Sequence, residues 1–238
     1  MNGKTIIITG ASSGIGRATA LRLAARGAQV VLAARNYGAL VEVSDDIRAQ
    51  GGQPLVVPTD VTQPAQIAEL VSETTATFGP IHGLVNCAGV GVLRAADQIS
   101  AADIDLMYAV NVKGLILVTQ AVVAEMIKTQ GGKVITPVGT MGKFVMRGSV
   151  GYSASKWAAT AAIKAMATEW QRQGIGFSLL YLGGVDTPFW DKIDFMKVQR
   201  DKMLSAKDAA GAIIYALEAS ATAVLNEMVL QPESHQFI

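Results

Sequence analysis

Tyr152 and Lys156 lie four positions apart in the run Tyr152-Ser153-Ala154-Ser155-Lys156. On a helix that spacing turns both side chains to one side. A phenol so placed can give a proton to a developing alkoxide or take one from an alcohol, provided its pKa falls from about 10 toward neutrality. A fall of about three units needs about 4 kcal/mol of preferential phenolate stabilisation. An ammonium about 4 Å away supplies about that much at an effective dielectric of about 20. Taken alone, the pair reads first as two neighbours on a helix surface, so its meaning depends on the rest of the chain.

A second chemical signal lies near the N-terminus, in Thr9-Gly10-Ala11-Ser12-Ser13-Gly14-Ile15-Gly16. The glycines permit a tight turn and close approach of backbone, and a helix starting here offers free N–H groups to a pyrophosphate. The loop residues Gly10, Ser12, Ser13, Gly14, Ile15 and Gly16 are therefore candidate phosphate contacts. Downstream, a second apolar run ends Leu32-Ala33-Ala34-Arg35-Asn36. An acidic residue there would accept a ribose 2′-hydroxyl. Alanine followed by Arg35 and Asn36 instead suits a 2′-phosphate, which a guanidinium holds through charge-assisted hydrogen bonds. The expected cofactor is NADP(H) in preference to NAD(H).

These residues need elements to position them. Apolar runs at Thr5–Thr9, Val30–Ala33, Leu55–Val57, Leu84–Val85, Lys133–Ile135 and Phe177–Leu182 are continuous, not alternating. That pattern fits strands covered on both faces, as in a parallel sheet. Helical patterns fall between and after them at Ile15–Arg26, Ala39–Gln50, Pro64–Thr77, Ala101–Lys128 and Tyr152–Gln173, and Ala223–Pro232 reads as a last strand. Strand–helix alternation at this spacing implies βαβ units. The expected class is α/β: a three-layer, Rossmann-like, doubly wound parallel sheet with helices on both faces. No linker, repeat or charge block divides residues 1–238, so one domain is expected, with a less regular insert at 186–203.

Composition narrows the function classes. Half of the 238 residues are hydrophobic and 16% are charged, which is a globular balance. A formal net charge of +1 gives no reason to expect nucleic acid or an anionic membrane as partner. One cysteine, Cys87, excludes an internal disulfide framework, and two histidines leave too few ligands for a zinc site, so no metal is expected. The apolar stretch Gly114–Ile127 is short and broken by Thr119, Gln120 and Glu125, so it is not expected to span a bilayer. The start, Met1 followed closely by Lys4-Thr5-Ile6-Ile7-Ile8, has no charged leader, and a cytoplasmic location is the expectation.

With its helix and strand context, the string at residues 9–16 resembles the TGxxxGIG signature of the short-chain dehydrogenase/reductase family, and the resemblance runs in order and spacing to about residue 190. It implies an oxidoreductase, an alcohol dehydrogenase or carbonyl reductase, interconverting a carbonyl and an alcohol in a small-molecule substrate. By the same resemblance Tyr152 is the acid/base, Lys156 lowers its pKa and holds the nicotinamide ribose, and Asn111 holds a proton-relay water. Asp60-Val61 resembles the adenine-contacting pair, and Asn86-Cys87-Ala88-Gly89 resembles an N-N-A-G motif in which Asn86, Ala88 and Gly89 contact cofactor. Gly183-Gly184-Val185-Asp186-Thr187 resembles the segment beside the nicotinamide, with Leu182 where a proline is usual; Gly184, Val185 and Thr187 are its candidate contacts. The resemblance also implies a homotetramer or homodimer built on the two long helices, and a lid formed by 186–203.

One departure stands out. The family serine that donates a hydrogen bond to the substrate oxygen falls at Gly139, thirteen residues before Tyr152. Loss of one such donor costs on the order of a hundredfold to a thousandfold in rate. Thr140 is the nearest hydroxyl, and a turn at Gly139 would redirect it toward that role. The gap keeps a second class open: a catalytically weak NADPH-binding sensor or scaffold. Met141, Phe144, Phe189 and Trp190 are candidate substrate-pocket residues, and Arg94, Lys143 and Arg147 read either as carboxylate anchors or as surface charges.

Overall fold

The computed structural model describes residues 1–129, 131–220, 222–234 and 236. Its centre is one seven-stranded sheet, all parallel, in the order β3-β2-β1-β4-β5-β6-β7. The strands are β1 (Thr5–Thr9), β2 (Gln29–Ala34), β3 (Gln53–Pro58), β4 (Ile81–Asn86), β5 (Gly132–Pro137), β6 (Ile175–Leu182) and β7 (Glu227–Leu230). The helices are α1 (Gly14–Ala24), α2 (Tyr37–Ala49), α3 (Pro64–Phe78), α4 (Ala101–Tyr108), α5 (Leu115–Lys128), α6 (Val150–Trp170) and α7 (Ala206–Glu218). The expected α/β class holds, and the strand order reverses between β1 and β4, which opens a crevice at their C-terminal ends.

Every residue of β1 is fully or almost fully buried, as its unbroken β-branched run requires of a strand covered on both faces. Ile6 and Ile8 pack on one side with α1, α2 and α7, whereas Ile7 packs on the other with α3, α5 and α6. Pleat alternation thus divides a uniformly apolar sequence between two cores. Helix α7 was not among the helical patterns expected from the sequence. It starts in a capping box between Ser205 and Asp208, and its alanine-rich face packs against α1. Lys133 on β5 donates to the carbonyls of Ala216, Leu217 and Ala219, answering the bare C-terminal end of α7.

Residues 101–128 form one continuous helical segment, as expected, but its middle widens into a π turn at Ala109–Gly114. Joined up, the segment is long and apolar enough to cross a membrane, in contrast to the shorter stretch considered from sequence; half of its most apolar 18 residues are buried inside the protein. Val118, Val122, Val123 and Met126 lie in the core against the sheet. Its outer side, with Tyr108, Ala109, Val112, Ile116 and Leu117, forms a shallow apolar groove.

Candidate active site

At the end of β1, Gly10 takes φ +65°, and a Cβ there would stand 2.8 Å from the backbone of Cys87 and Ala88 after β4. Only glycine lets these two strand ends approach so closely. Ser13 then caps α1 in an extended conformation without a side-chain cap hydrogen bond. The first N–H groups of the helix are left to an anion, which is the arrangement a pyrophosphate requires. The cradle fits a dinucleotide. Across the crevice, Thr187 approaches within 3.1 Å of the Cβ position of Gly14, so the loop after β6 closes over the phosphate loop.

Arg35, just past β2, is exposed, and Asn36 accepts from the Ala39 N–H as the cap of α2. Among the described residues Arg35 forms no ion pair, although its charge helps to hold Asp60 below the usual carboxylate range. For Asp60, burial pushes upward and is outweighed by hydrogen bonds from the Thr62 N–H and hydroxyl, at 2.9 and 2.8 Å. Val61, beside it, is buried against Gly114. The Asn86 side chain turns inward, donating to Thr119 at 3.0 Å and to Thr136 at 3.4 Å. It therefore ties β4 to α5 and β5, which leaves the backbone of Asn86 as its means of cofactor contact. Ala88 and Gly89 border the crevice, and Asn111 Oδ1 and Lys156 Nζ lie 3.3 and 3.4 Å from the Cβ position of Gly89.

Asn111 sits in the π turn and is 1% exposed. It accepts from the Val90 N–H at 2.9 Å and donates to the Val90 carbonyl at 2.8 Å and to Ser155 Oγ at 3.0 Å. An extra residue in a helical turn re-aims a side chain, and π turns recur at functional sites for this reason. Here the turn fastens the loop after β4 to α6, where Ser155 also donates to the Tyr152 carbonyl at 2.8 Å. Ser155 was not singled out in the sequence; a small polar residue between Tyr152 and Lys156 gave no distinct signal.

Tyr152 and Lys156 share one side of α6, with Lys156 Nζ 5.6 Å from the centroid of the Tyr152 ring. Burial pushes the phenol up to about 12, which corrects the expected fall. Desolvation disfavours the charged phenolate and is the cause of that shift. The same burial pushes Lys156 down to about 8, partly opposed by Cys87. Cys87 itself is pushed up to about 12 by desolvation, so it is held as an unreactive thiol.

Gly139 follows β5 with φ +87° and opens a turn over Thr140–Gly142. Thr140 is buried, and among the described residues no hydrogen bond joins its hydroxyl to Tyr152. Met141 is buried in the same turn and Phe144 is half-buried just after it. Phe189 leans on Tyr152 with centroids 5.6 Å apart and meets Trp190 edge-on at 5.2 Å. Trp190 Nε1 donates to the Val185 carbonyl at 2.9 Å, beside Gly184, which abuts Met203. Arg200 gathers the 186–203 segment, donating to Asp186, Asp191 and the Thr187 carbonyl.

The sequence profile described as short chain dehydrogenase matches residues 4–197. The chain belongs to the short-chain dehydrogenase family. It is 34% identical over 232 residues to an uncharacterised oxidoreductase of Staphylococcus haemolyticus, covering 98% of each chain. Among solved structures, an alcohol dehydrogenase from Thermococcus sibiricus complexed with 5-hydroxy-NADP superposes with a TM-score of 0.90 at 25% identity, covering 99% of both chains. A 3-ketoacyl-(acyl-carrier-protein) reductase from Brucella melitensis complexed with NADH gives 0.88 at 25% identity, covering 97% of both. This short-chain dehydrogenase is therefore an oxidoreductase that uses a nicotinamide cofactor and acts on small molecules.

Proposed function

We propose that this protein is an NADP(H)-dependent carbonyl reductase or alcohol dehydrogenase. The observation that carries the reading is the meeting of Tyr152, Lys156 and Asn111 beside the phosphate loop, with Phe189 packed on the phenol ring. Bound nicotinamide supplies or removes the hydride. Residues 10–16, Arg35, Asp60, Gly89, Lys156 and Thr187 would hold the dinucleotide, and Arg35 favours the 2′-phosphate because no carboxylate at the end of β2 competes for that position. Tyr152, protonated at neutral pH, gives its proton to the substrate oxygen as negative charge develops there. Lys156, still largely charged at pH 7, stabilises the phenolate that is left. Asn111 keeps the loop after β4 and the helix bearing Tyr152 in register.

The test is NADPH oxidation, followed by absorbance, across a panel of ketones and aldehydes with wild type, Tyr152→Phe and Thr140→Ala. Turnover lost in Tyr152→Phe supports the reading. A further loss in Thr140→Ala assigns that hydroxyl a share of the donor role. Tight NADPH binding with no turnover of any carbonyl favours the sensor reading instead.

We also infer an assembly of two or four copies. The outer groove of residues 108–117 and the exposed Val150 and Trp157 of α6 give two neighbouring long helices unpartnered apolar surface.

A further inference from the structure

The absence of a side chain at Gly139 leaves space with a defined chemical character. The Cβ position of Gly139 is 3.8 Å from the Tyr152 hydroxyl and 3.8 Å from the Leu182 carbonyl oxygen, with nothing nearer outside the adjoining chain. A polar atom one bond length from that point comes within hydrogen-bond reach of either group. One neighbour donates and the other accepts. A hydroxyl can answer both, whereas a methyl group can answer neither. Phe189 packs against the Tyr152 ring, and both rings abut Gly91, so a substrate finds apolar surface beside the phenol as well.

We propose that the space beside Gly139 is a hydroxyl subsite, and that the substrate is a hydroxycarbonyl compound with its hydroxyl on the carbon next to the carbonyl (in the reverse direction, a vicinal diol). The proposal rests on the reductase reading above and names the substrate class for that site. The carbonyl oxygen accepts from Tyr152, and the neighbouring hydroxyl donates to the Leu182 carbonyl. The two oxygens of such a compound are about as far apart as hydrogen-bonded oxygens, which matches a subsite that starts 3.8 Å from the phenol oxygen. Hydride adds to the carbonyl carbon, the Tyr152 proton goes to its oxygen, and the adjacent hydroxyl is neither oxidised nor reduced. The substrate thereby brings its own polar group to the place where the protein has none.

The experiment compares 1-hydroxy-2-butanone with 2-pentanone, which puts a methyl group in place of the hydroxyl, and with 1-methoxy-2-butanone. Wild type should prefer the hydroxyketone over both by about tenfold in kcat/KM, the yield of one well-made neutral hydrogen bond. In Gly139→Ala, whose methyl group fills the subsite, the preference should vanish, with a thermal melt reporting whether that variant is folded. Calorimetric binding of the same ketones to NADPH-loaded Tyr152→Phe removes turnover from the readout. The hydroxyketone should still bind about tenfold more tightly, because the Leu182 carbonyl is intact. Equal kcat/KM for hydroxyketone and plain ketone in wild type overturns the subsite and leaves the reductase reading standing. Absence of turnover with every ketone counts against the reductase reading, and the binding comparison then decides the subsite by itself: equal affinities overturn it, and a preference for the hydroxyketone supports it.

Discussion

Lys156 Nζ stands 5.6 Å from the centroid of the Tyr152 ring, and the burial they share drives their titrations in opposite senses, the lysine down to about 8 and the phenol up to about 12. Between pH 8 and the ordinary lysine range, the unfolded chain keeps a proton on Lys156 that the folded chain has released. Stability contributed through Lys156 therefore rises with pH in that window. Cys87 and Tyr152 oppose this from about pH 9 and 10 upward, because the folded chain retains their protons after the unfolded chain has lost them. Urea unfolding should show a stability maximum near pH 9. In Lys156→Met the gain between pH 8 and 9, up to about 1 kcal/mol for one released proton, should disappear. An unchanged pH profile in that variant would contradict the burial assigned to Lys156.

Arg35 is exposed at the end of β2 with no ion pair among the described residues. Its guanidinium is free to take a 2′-phosphate, and a hydrogen bond to a charged partner contributes about 1.5–3 kcal/mol. Arg35→Ala should therefore weaken NADPH binding by about tenfold or more while NADH affinity stays within about twofold. Fluorescence titration of both cofactors measures this, and an equal loss for both would remove the basis for NADP(H) preference.

Arg200 holds Asp186 at 2.5 Å, Asp191 at 2.6 Å and the Thr187 carbonyl at 3.2 Å. These groups are largely exposed, and exposed ion pairs contribute about 0–1 kcal/mol, so global stability should barely move in Arg200→Ala. The local effect should be larger, because Thr187 and Phe189 are fixed through this segment. The expected result is a KM raised several-fold and faster proteolysis within 186–203, at an almost unchanged Tm. Unaltered proteolysis would show that the segment is held by Phe189 and Trp190 instead.

The sheet, the phosphate loop and the Tyr152–Lys156 pair were legible in the sequence because each leaves a local pattern: unbroken apolar runs, spaced glycines, a four-residue helical step. Helix α7 was not read, although the Ser205–Asp208 capping box and the apolar Ile213, Ile214 and Leu217 over Ala206–Glu218 leave a local pattern of the same kind. Asn86 read as a motif member, yet its side chain is used by Thr119 and Thr136, partners 33 and 50 residues away. The phenol's upward shift was missed for a similar reason. Spacing on α6 fixes which side Tyr152 and Lys156 face, but their burial depends on packing by the rest of the fold, Phe189 against Tyr152 included.

The outer faces of the two long helices carry the last prediction. Tyr108, Ile116 and Leu117 on one segment, and Val150 and Trp157 on α6, are apolar surface that the sheet does not cover. Trp157 is 49% exposed and Val150 53% exposed, which is costly for large apolar groups left in water. Contact with a second copy would remove that cost for both helices at once, and an interface of this kind repeats the same patch on each partner. Light scattering of wild type should give a dimer or tetramer, and Trp157→Glu or Ile116→Glu should shift it toward monomer. Because α6 also carries Tyr152 and Lys156, dissociation should lower kcat as well as mass, by a factor that grows on dilution. A wild-type monomer at micromolar concentration would refute the assembly and leave these side chains without a partner.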